Sequence, residues 1–340
     1  MAIFEIDPDI RKAKTLASNF YTDATYFELS KEKIFARSWH FLGHADEVDG
    51  LKPATILSDF LDEPVLLSRN GNGVLCLSNV CTHRGKILVE EPCQANLIRC
   101  GYHGRRFSLD GKFLSMPEFE GVESFPCESD NLKQLAFAER DGFLFASIDP
   151  IDTFGAFVGA AAAKFEEIEP KGLRLASTCK YEVNAHWALY CENYLEGFHI
   201  PYVHRSLNEI VDYGSYTTET FRYSSLQTGH DDAGVVAARY LFIFPNLMFN
   251  FYPWGISVNV VRPVSPSRSV VEFLSYVRDE SLMDKGAGAD LQGVELEDEA
   301  VVESVQKGIR SRFYSHGRYS PTREQGTHHF HRLIAEFMSL

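Results

Sequence analysis

The spacing of apolar and polar positions changes character twice along the 340-residue chain. Residues 10–38 carry apolar positions at helical intervals and predict a helical N-terminal segment closing on Lys31–Trp39. From about 40 to 150 the pattern becomes short β-type runs: Thr55–Ser58, Pro64–Ser68, Val74–Ser78, Lys112–Ser115 and Phe143–Ser147. The dipeptides Asn70-Gly71, Asp110-Gly111 and Asp141-Gly142 read as hairpin turns between such runs. After about 151 the periods mix. A helix is expected over Thr153–Ile168, a strand over Leu173–Val183, and a second helix over Trp187–Phe198. Five strands follow: Glu219–Leu226, Val235–Phe244, Leu247–Tyr252, Ser257–Val264 and Ser269–Arg278. Their even spacing predicts an antiparallel sheet. Ser281–Val294 holds three glycines and two aspartates and reads as a loop, before closing helices at about 296–312 and 321–338.

The pattern thus divides the chain into a helical segment (1–38), an all-β domain (39–150) and a mixed domain (151–340). A length of 340 residues, above the size of most single cores, agrees with that division. The chain is 45% apolar and 24% charged, ordinary for a globular protein. Its formal net charge of −14 disfavours nucleic-acid backbones and anionic membrane surfaces as partners. No apolar run reaches the length of a membrane span, and the N-terminus carries acids where a secretion signal needs positive charge. A cytoplasmic location is expected. The seven cysteines are an odd number, better read as thiols and metal ligands than as a disulfide framework.

Two constellations carry chemistry. Inside the β domain lie Cys81-Thr-His83-Arg-Gly85 and, with sixteen residues between His83 and Cys100, Cys100-Gly-Tyr-His103-Gly104. Two cysteines and two histidines admit a structural zinc site or a two-iron, two-sulfur cluster with two Cys on one iron and two His on the other. Zinc spacings usually pair Cys with Cys and His with His. Here each loop supplies one of each, as two loops clasping a cluster would. About a hundred residues on, Glu192–His204 contains His199 and His204. Asn193, Glu196 and His199 are three apart and would share one helix face. Pro201 is expected to break the helix between the two histidines so that both imidazoles converge. Two histidines and a carboxylate, with positions left open, form the site of non-haem Fe(II) oxygenases. The carboxylate must come from elsewhere; Glu295, Glu297, Asp298, Glu299 and Glu303 are available, although a helix N-terminus favours acids in any case. His328, His329 and His331 fall in a helical pattern and carry no assigned role.

The two Cys/His loops resemble the cluster-binding loops of Rieske ring-hydroxylating oxygenase α subunits, and Asn193–His204 resembles the iron helix of the same enzymes. The order of the motifs agrees, and the resemblance runs from Phe20-Tyr21 to the C-terminal helix. Departures fall at Gly101, where family members often have Pro, at Arg105, commonly Trp, and at Glu196, usually Asp. The resemblance implies an α+β chain: a small all-β Rieske domain joined to a catalytic helix-grip domain with an antiparallel sheet and flanking helices. It implies that Cys81, His83, Cys100 and His103 hold a 2Fe-2S cluster. It implies further that His199, His204 and Asp298 hold mononuclear Fe(II), with Glu297–Gln306 as the segment that delivers Asp298. Glu196 would link the iron site to a Rieske histidine, His103 before His83, of a neighbouring subunit. That in turn implies a ring of subunits, a homotrimer or a multiple of it. Electrons would come from NAD(P)H through a separate reductase or ferredoxin, and O2 would be used to hydroxylate or demethylate a small organic substrate. The aromatic run Leu241–Trp254, with Asn250 in it, suits a choline-, betaine- or carnitine-like amine or an aromatic ring. Two readings of other classes are a zinc-stapled ligand-binding protein and a pure electron carrier.

Overall fold

In the computed structural model the β region folds as three small antiparallel sheets. The structure describes residues 4–161, 163, 172–210, 212–283, 285, 288 and 291–340. In chain order the first strands are β1 (His40–His44), β2 (Leu51–Ile56), β3 (Glu63–Asn70), β4 (Gly73–Ser78), β5 (Ile98–Arg99), β6 (Arg106–Phe107), β7 (Phe113–Ser115), β8 (Ala136–Arg140) and β9 (Phe143–Ser147). They pair as β1-β9-β8, β2-β3-β4 and β5-β6-β7. The predicted turns at Asp110-Gly111 and Asp141-Gly142 fall between strands, but the first hairpin is one residue off. Asn70 still pairs with Gly73, so Gly71-Asn72 makes the turn, and the Asn70 side chain accepts from the Asn72 amide at 2.9 Å. Leu51, Leu66, Leu77, Leu88, Ile98 and Phe107 form one core, and Cys81 and Cys100 belong to it.

The remaining strands build one seven-stranded antiparallel sheet: β10 (Arg174–Val183), β11 (Thr217–Thr220), β12 (Ser224–His230), β13 (Val236–Ile243), β14 (Leu247–Tyr252), β15 (Gly255–Ser265) and β16 (Arg268–Val277). Their order is β10-β16-β15-β14-β13-β12-β11. Strands β11 to β16 are a simple meander. The strand that precedes them, β10, pairs with the last, β16, at the opposite edge. The segment between β10 and β11 must therefore cross the whole width of the sheet. That crossing carries the helix Trp187–Tyr194, which packs against β15 and the helix Leu291–Gly308. By contact density the chain divides into two units, Ala36–Ile151 and the remainder.

Several predicted elements need correction. The N-terminal helix is confined to Asn19–Thr22, Ala24–Ser30 and a π-turn Lys31–Phe35. Asp23 interrupts it, its side chain accepting from the Thr25 amide as the cap of the second piece. The strand expected over Glu219–Leu226 is two strands, because 221–223 turn the chain and the Phe221 amide donates to the Ser224 carbonyl. The helix expected over Thr153–Ile168 is helical at Phe154–Val158 with a 3₁₀ turn to Ala161; residues 162 and 164–168 lie outside the described residues. The loop expected over Ser281–Val294 has already become helix at Leu291; 284, 286, 287, 289 and 290 lie outside the described residues.

Candidate active site and cluster loops

The helix Trp187–Tyr194 is shorter than its apolar pattern predicts. It ends at Leu195, and residues 196–199 turn before a short helix, Ile200–Val203, begins. Pro201 lies in the first turn of that short helix, where its missing N–H costs nothing. The change of direction thus precedes Pro201. Gly197 makes it fit: a Cβ there would lie 2.8 Å from the Tyr216 ring. Asn193, Glu196 and His199 consequently do not share one helix face, yet all three reach the same cleft.

His199 Nε2 and His204 Nε2 lie 3.1 Å apart, and Asp298 Oδ1 is 3.0 Å from His204 Nε2 and 3.6 Å from His199 Nε2. The other nitrogen of each ring is held by a carboxylate. His199 Nδ1 meets Glu196 Oε1 at 2.8 Å, and His204 Nδ1 meets Glu297 Oε2 at 2.8 Å. A carboxylate on Nδ1 fixes that nitrogen as the donor and leaves the Nε2 lone pair for a metal. Asn193 Nδ2 donates to Asp298 Oδ1 at 2.5 Å and sets that carboxylate's orientation. Burial pulls the His204 pKa down, but Asp298 and Glu297 outweigh it and hold the pKa above its ordinary value. An environment that favours a proton there also favours a cation. The donor set therefore fits a divalent metal with open positions.

The competing acids separate cleanly. Glu303 accepts from the Asn184 backbone and side chain, and Glu297 supports His204. Because the helix begins at Leu291, no acid lies in its first turn. The general preference of helix N-termini for acids does not account for Asp298. Glu295, Asp298 and Glu299 follow the spacing of one helix face. His328 and His331 are buried in the C-terminal helix Gln325–Ser339; His331 bonds Tyr319 Oη, and His328 bonds the Asp7 carbonyl.

The two cluster loops are built alike. Gly85 N donates to Cys81 O and Gly104 N to Cys100 O, at 3.0 and 3.1 Å. Both glycines have φ near +70°, a conformation other residues adopt at a cost. Cys81 and Cys100 are buried. Burial alone would raise the Cys100 thiol pKa, but the Tyr102 amide, the Cys81 thiol, the His103 amide and the Lys86 charge together hold it below its usual value. The rings of His83 and His103 stand 4.8 Å apart. His103 Nδ1 is buried without a partner, as expected of a nitrogen that binds iron. These four residues fit a Rieske cluster. Beneath the loop, Arg105 is buried against the rings of Phe107, Phe113 and Phe125 and pairs with Asp130 Oδ1 at 2.5 Å.

Comparison with known proteins agrees with this reading. Residues 38–126 match the Rieske [2Fe-2S] domain, and residues 213–340 match the ring hydroxylating alpha subunit catalytic domain. The oxygenase subunit of carnitine monooxygenase from Escherichia coli K12 is 30% identical over 353 residues, covering 96% of this chain and 94% of that protein. The chain belongs to the Rieske non-haem iron oxygenase α subunits. Choline monooxygenase of Arabidopsis thaliana is 29% identical to this oxygenase, over 99% of this chain and 86% of that one. A solved quaternary ammonium Rieske monooxygenase in complex with L-carnitine superimposes with a TM-score of 0.80 at 28% identity, covering 97% of each chain. Naphthalene 1,2-dioxygenase, at 19% identity and a TM-score of 0.76, shares the fold. The Rieske oxygenase is a terminal component that uses a 2Fe-2S cluster, mononuclear iron and electrons from a reductase. The zinc-stapled and electron-carrier readings are set aside. Among the described residues no helix is long and apolar enough to cross a membrane.

The cleft at the iron site encloses about 100 Å³. Its aromatic lining is Tyr190, Tyr194, Tyr216, Tyr240, Tyr252 and Phe273. Of these only Tyr252 stands out in the sequence, alternating with Asn250 on one face of β14. The signal for Tyr240 is cross-strand, since it pairs with Asn250. Tyr190, Tyr194, Tyr216 and Phe273 reach the cleft from separate elements and share no sequence pattern.

Proposed function

We propose that this oxygenase hydroxylates or oxidatively demethylates a small quaternary amine at iron held by His199, His204 and Asp298. The observation that carries the proposal is the aromatic cleft at these ligands. Tyr194 and Tyr240 stand edge to face, with ring centroids 6.3 Å apart, and so do Tyr240 and Tyr252. Aromatic faces attract quaternary ammonium groups, by about 0.5–2 kcal/mol for each ring presented. The names of the choline and carnitine relatives support the same substrate class. When bound, the cluster supplies single electrons and the iron activates O2.

The chain's own residues do the rest. Cys81, His83, Cys100 and His103 hold the cluster in the Ala36–Ile151 unit. Asn193 and Glu297 keep Asp298 and His204 oriented, and the tyrosines place the amine and exclude water. Glu196 accepts from the amides of His199 and Phe198 and braces His199 Nδ1. A carboxylate has further lone pairs, so it can also accept from His103 of a neighbouring subunit in a trimeric ring. The seven cysteines are free, which suits a reducing compartment such as the cytoplasm.

The test is O2 uptake with NADH and a surrogate flavin reductase, across choline, glycine betaine, L-carnitine and aromatic acids, with products identified by mass spectrometry. Substrate-dependent uptake with a quaternary amine is the expected result. Coupled turnover of aromatic acids alone would overturn it.

A further inference from the structure

The cleft holds one acid that the iron site does not use. Asp298 faces the two histidines, and Glu196 is bound to His199. Asn193 is directed at Asp298, and Asn250 accepts from Tyr194 Oη at 2.7 Å. Glu295 remains. It lines the cleft, it is only 4% exposed, and its Oε2 accepts from Tyr190 Oη at 2.6 Å. Its Oε1 is buried with no partner.

We propose that Glu295 is the specificity-determining counter-ion of this cleft: its carboxylate pairs with the ammonium group of the substrate held among the tyrosines. The inference rests on the quaternary-amine reading above. A buried carboxylate oxygen without a hydrogen-bond partner is costly to ionise; a quaternary ammonium group has no N–H to donate, but its positive charge beside that oxygen offsets the cost. Burial, reinforced by Asp298 and Glu299, pushes the Glu295 pKa up to about 8 against the opposing pull of the Tyr190 hydroxyl and His204, so the cleft on its own favours the protonated acid and a cation bound beside it draws out the carboxylate. No lysine or arginine is among the described lining residues, so apart from the metal site the cation that faces Glu295 is the ligand's. The same lack leaves a substrate carboxylate without a cationic side chain among the described lining residues. The cleft therefore selects an ammonium group with a neutral tail over one with an anionic tail.

The experiment compares the holoenzyme with its Glu295→Gln variant, which keeps the shape and the bond from Tyr190. The probes are choline, its uncharged carbon isostere 3,3-dimethylbutan-1-ol, and L-carnitine, with dissociation constants measured by calorimetry. Wild type is expected to bind choline more tightly than either other probe. Glu295→Gln should weaken choline binding roughly tenfold or more and leave the isostere unchanged, since tenfold corresponds to about 1.4 kcal/mol. Cluster EPR and iron content should be those of wild type. An unchanged choline-to-isostere ratio in the variant would overturn the role of Glu295, and tighter binding of carnitine than of choline would overturn the neutral-tail selection. If wild type oxidises a quaternary amine and the variant discriminates equally well, only this inference fails. If wild type neither binds nor oxidises any quaternary amine, the substrate reading itself fails with it.

Discussion

Single side chains in this oxygenase are fixed by what lies behind them. His199 and His204 each present Nε2 to the same point because a carboxylate occupies each Nδ1. His199→Ala should abolish turnover and lower the iron content from about three to about two per chain. Its cluster EPR should be unchanged; retained turnover would refute the assignment. Arg105 shows the other side of burial. Its guanidinium lies among three phenylalanine rings and meets Asp130. Removing one partner of a buried pair strands the other charge, whereas an apolar replacement of the charge strands nothing of equal cost. Asp130→Asn should therefore destabilise the cluster-binding unit by roughly 3 kcal/mol in chemical denaturation. Arg105→Met should cost less, because Asp130 is partly exposed and can be solvated.

At the scale of elements, the iron-site segment depends on both ends of one short helix. His186 caps its start, with Nδ1 accepting from the Ala188 amide. It is fully buried, and desolvation lowers its pKa from 6.5 to about 3. Folded His186 stays neutral while the unfolded chain takes up a proton below pH 6.5. Its contribution to stability is thus complete above 6.5 and is lost as the pH falls from there towards 3. His186→Asn keeps a capping acceptor without the titration. It should melt lower than wild type at pH 7.5, and its melting temperature should fall less steeply between pH 6.5 and 5. At the other end, Gly197 lets Tyr216 close on the turn. Gly197→Ala should push that ring into the cleft and raise KM several-fold, with the cluster spectrum unchanged. An unchanged KM would show that Tyr216 does not set the wall.

At the scale of the whole molecule, the proposed cluster and iron sites lie more than ninety residues apart in the chain and in separate units. If electrons pass between neighbouring subunits through Glu196, chains lacking the cluster (Cys100→Ser) and chains lacking iron (His199→Ala) should each be inactive alone. Co-assembled, they should recover a measurable fraction of wild-type O2-coupled product formation. No recovery would argue for transfer within one chain.

The Cys81/His83 and Cys100/His103 loops and the His199/His204 pair were legible because ligand spacing is local, and β14 and β9 because alternation and hairpin residues are local too. The premature end of the helix at Leu195 was masked by the apolar pattern, which runs on to Phe198, and the close approach of the Tyr216 ring to Gly197 comes from another element. Asp298 could be named by resemblance, but what distinguishes it from its acidic neighbours is the start of its helix at Leu291 and the partners that engage Glu297 and Glu303. The sequence by itself determined which candidate ligands exist and the order in which they come. Which acid faces the histidines, which tyrosines wall the cleft and which carboxylate is left unpaired were decided only in three dimensions, because burial and hydrogen bonding join residues that no sequence period connects.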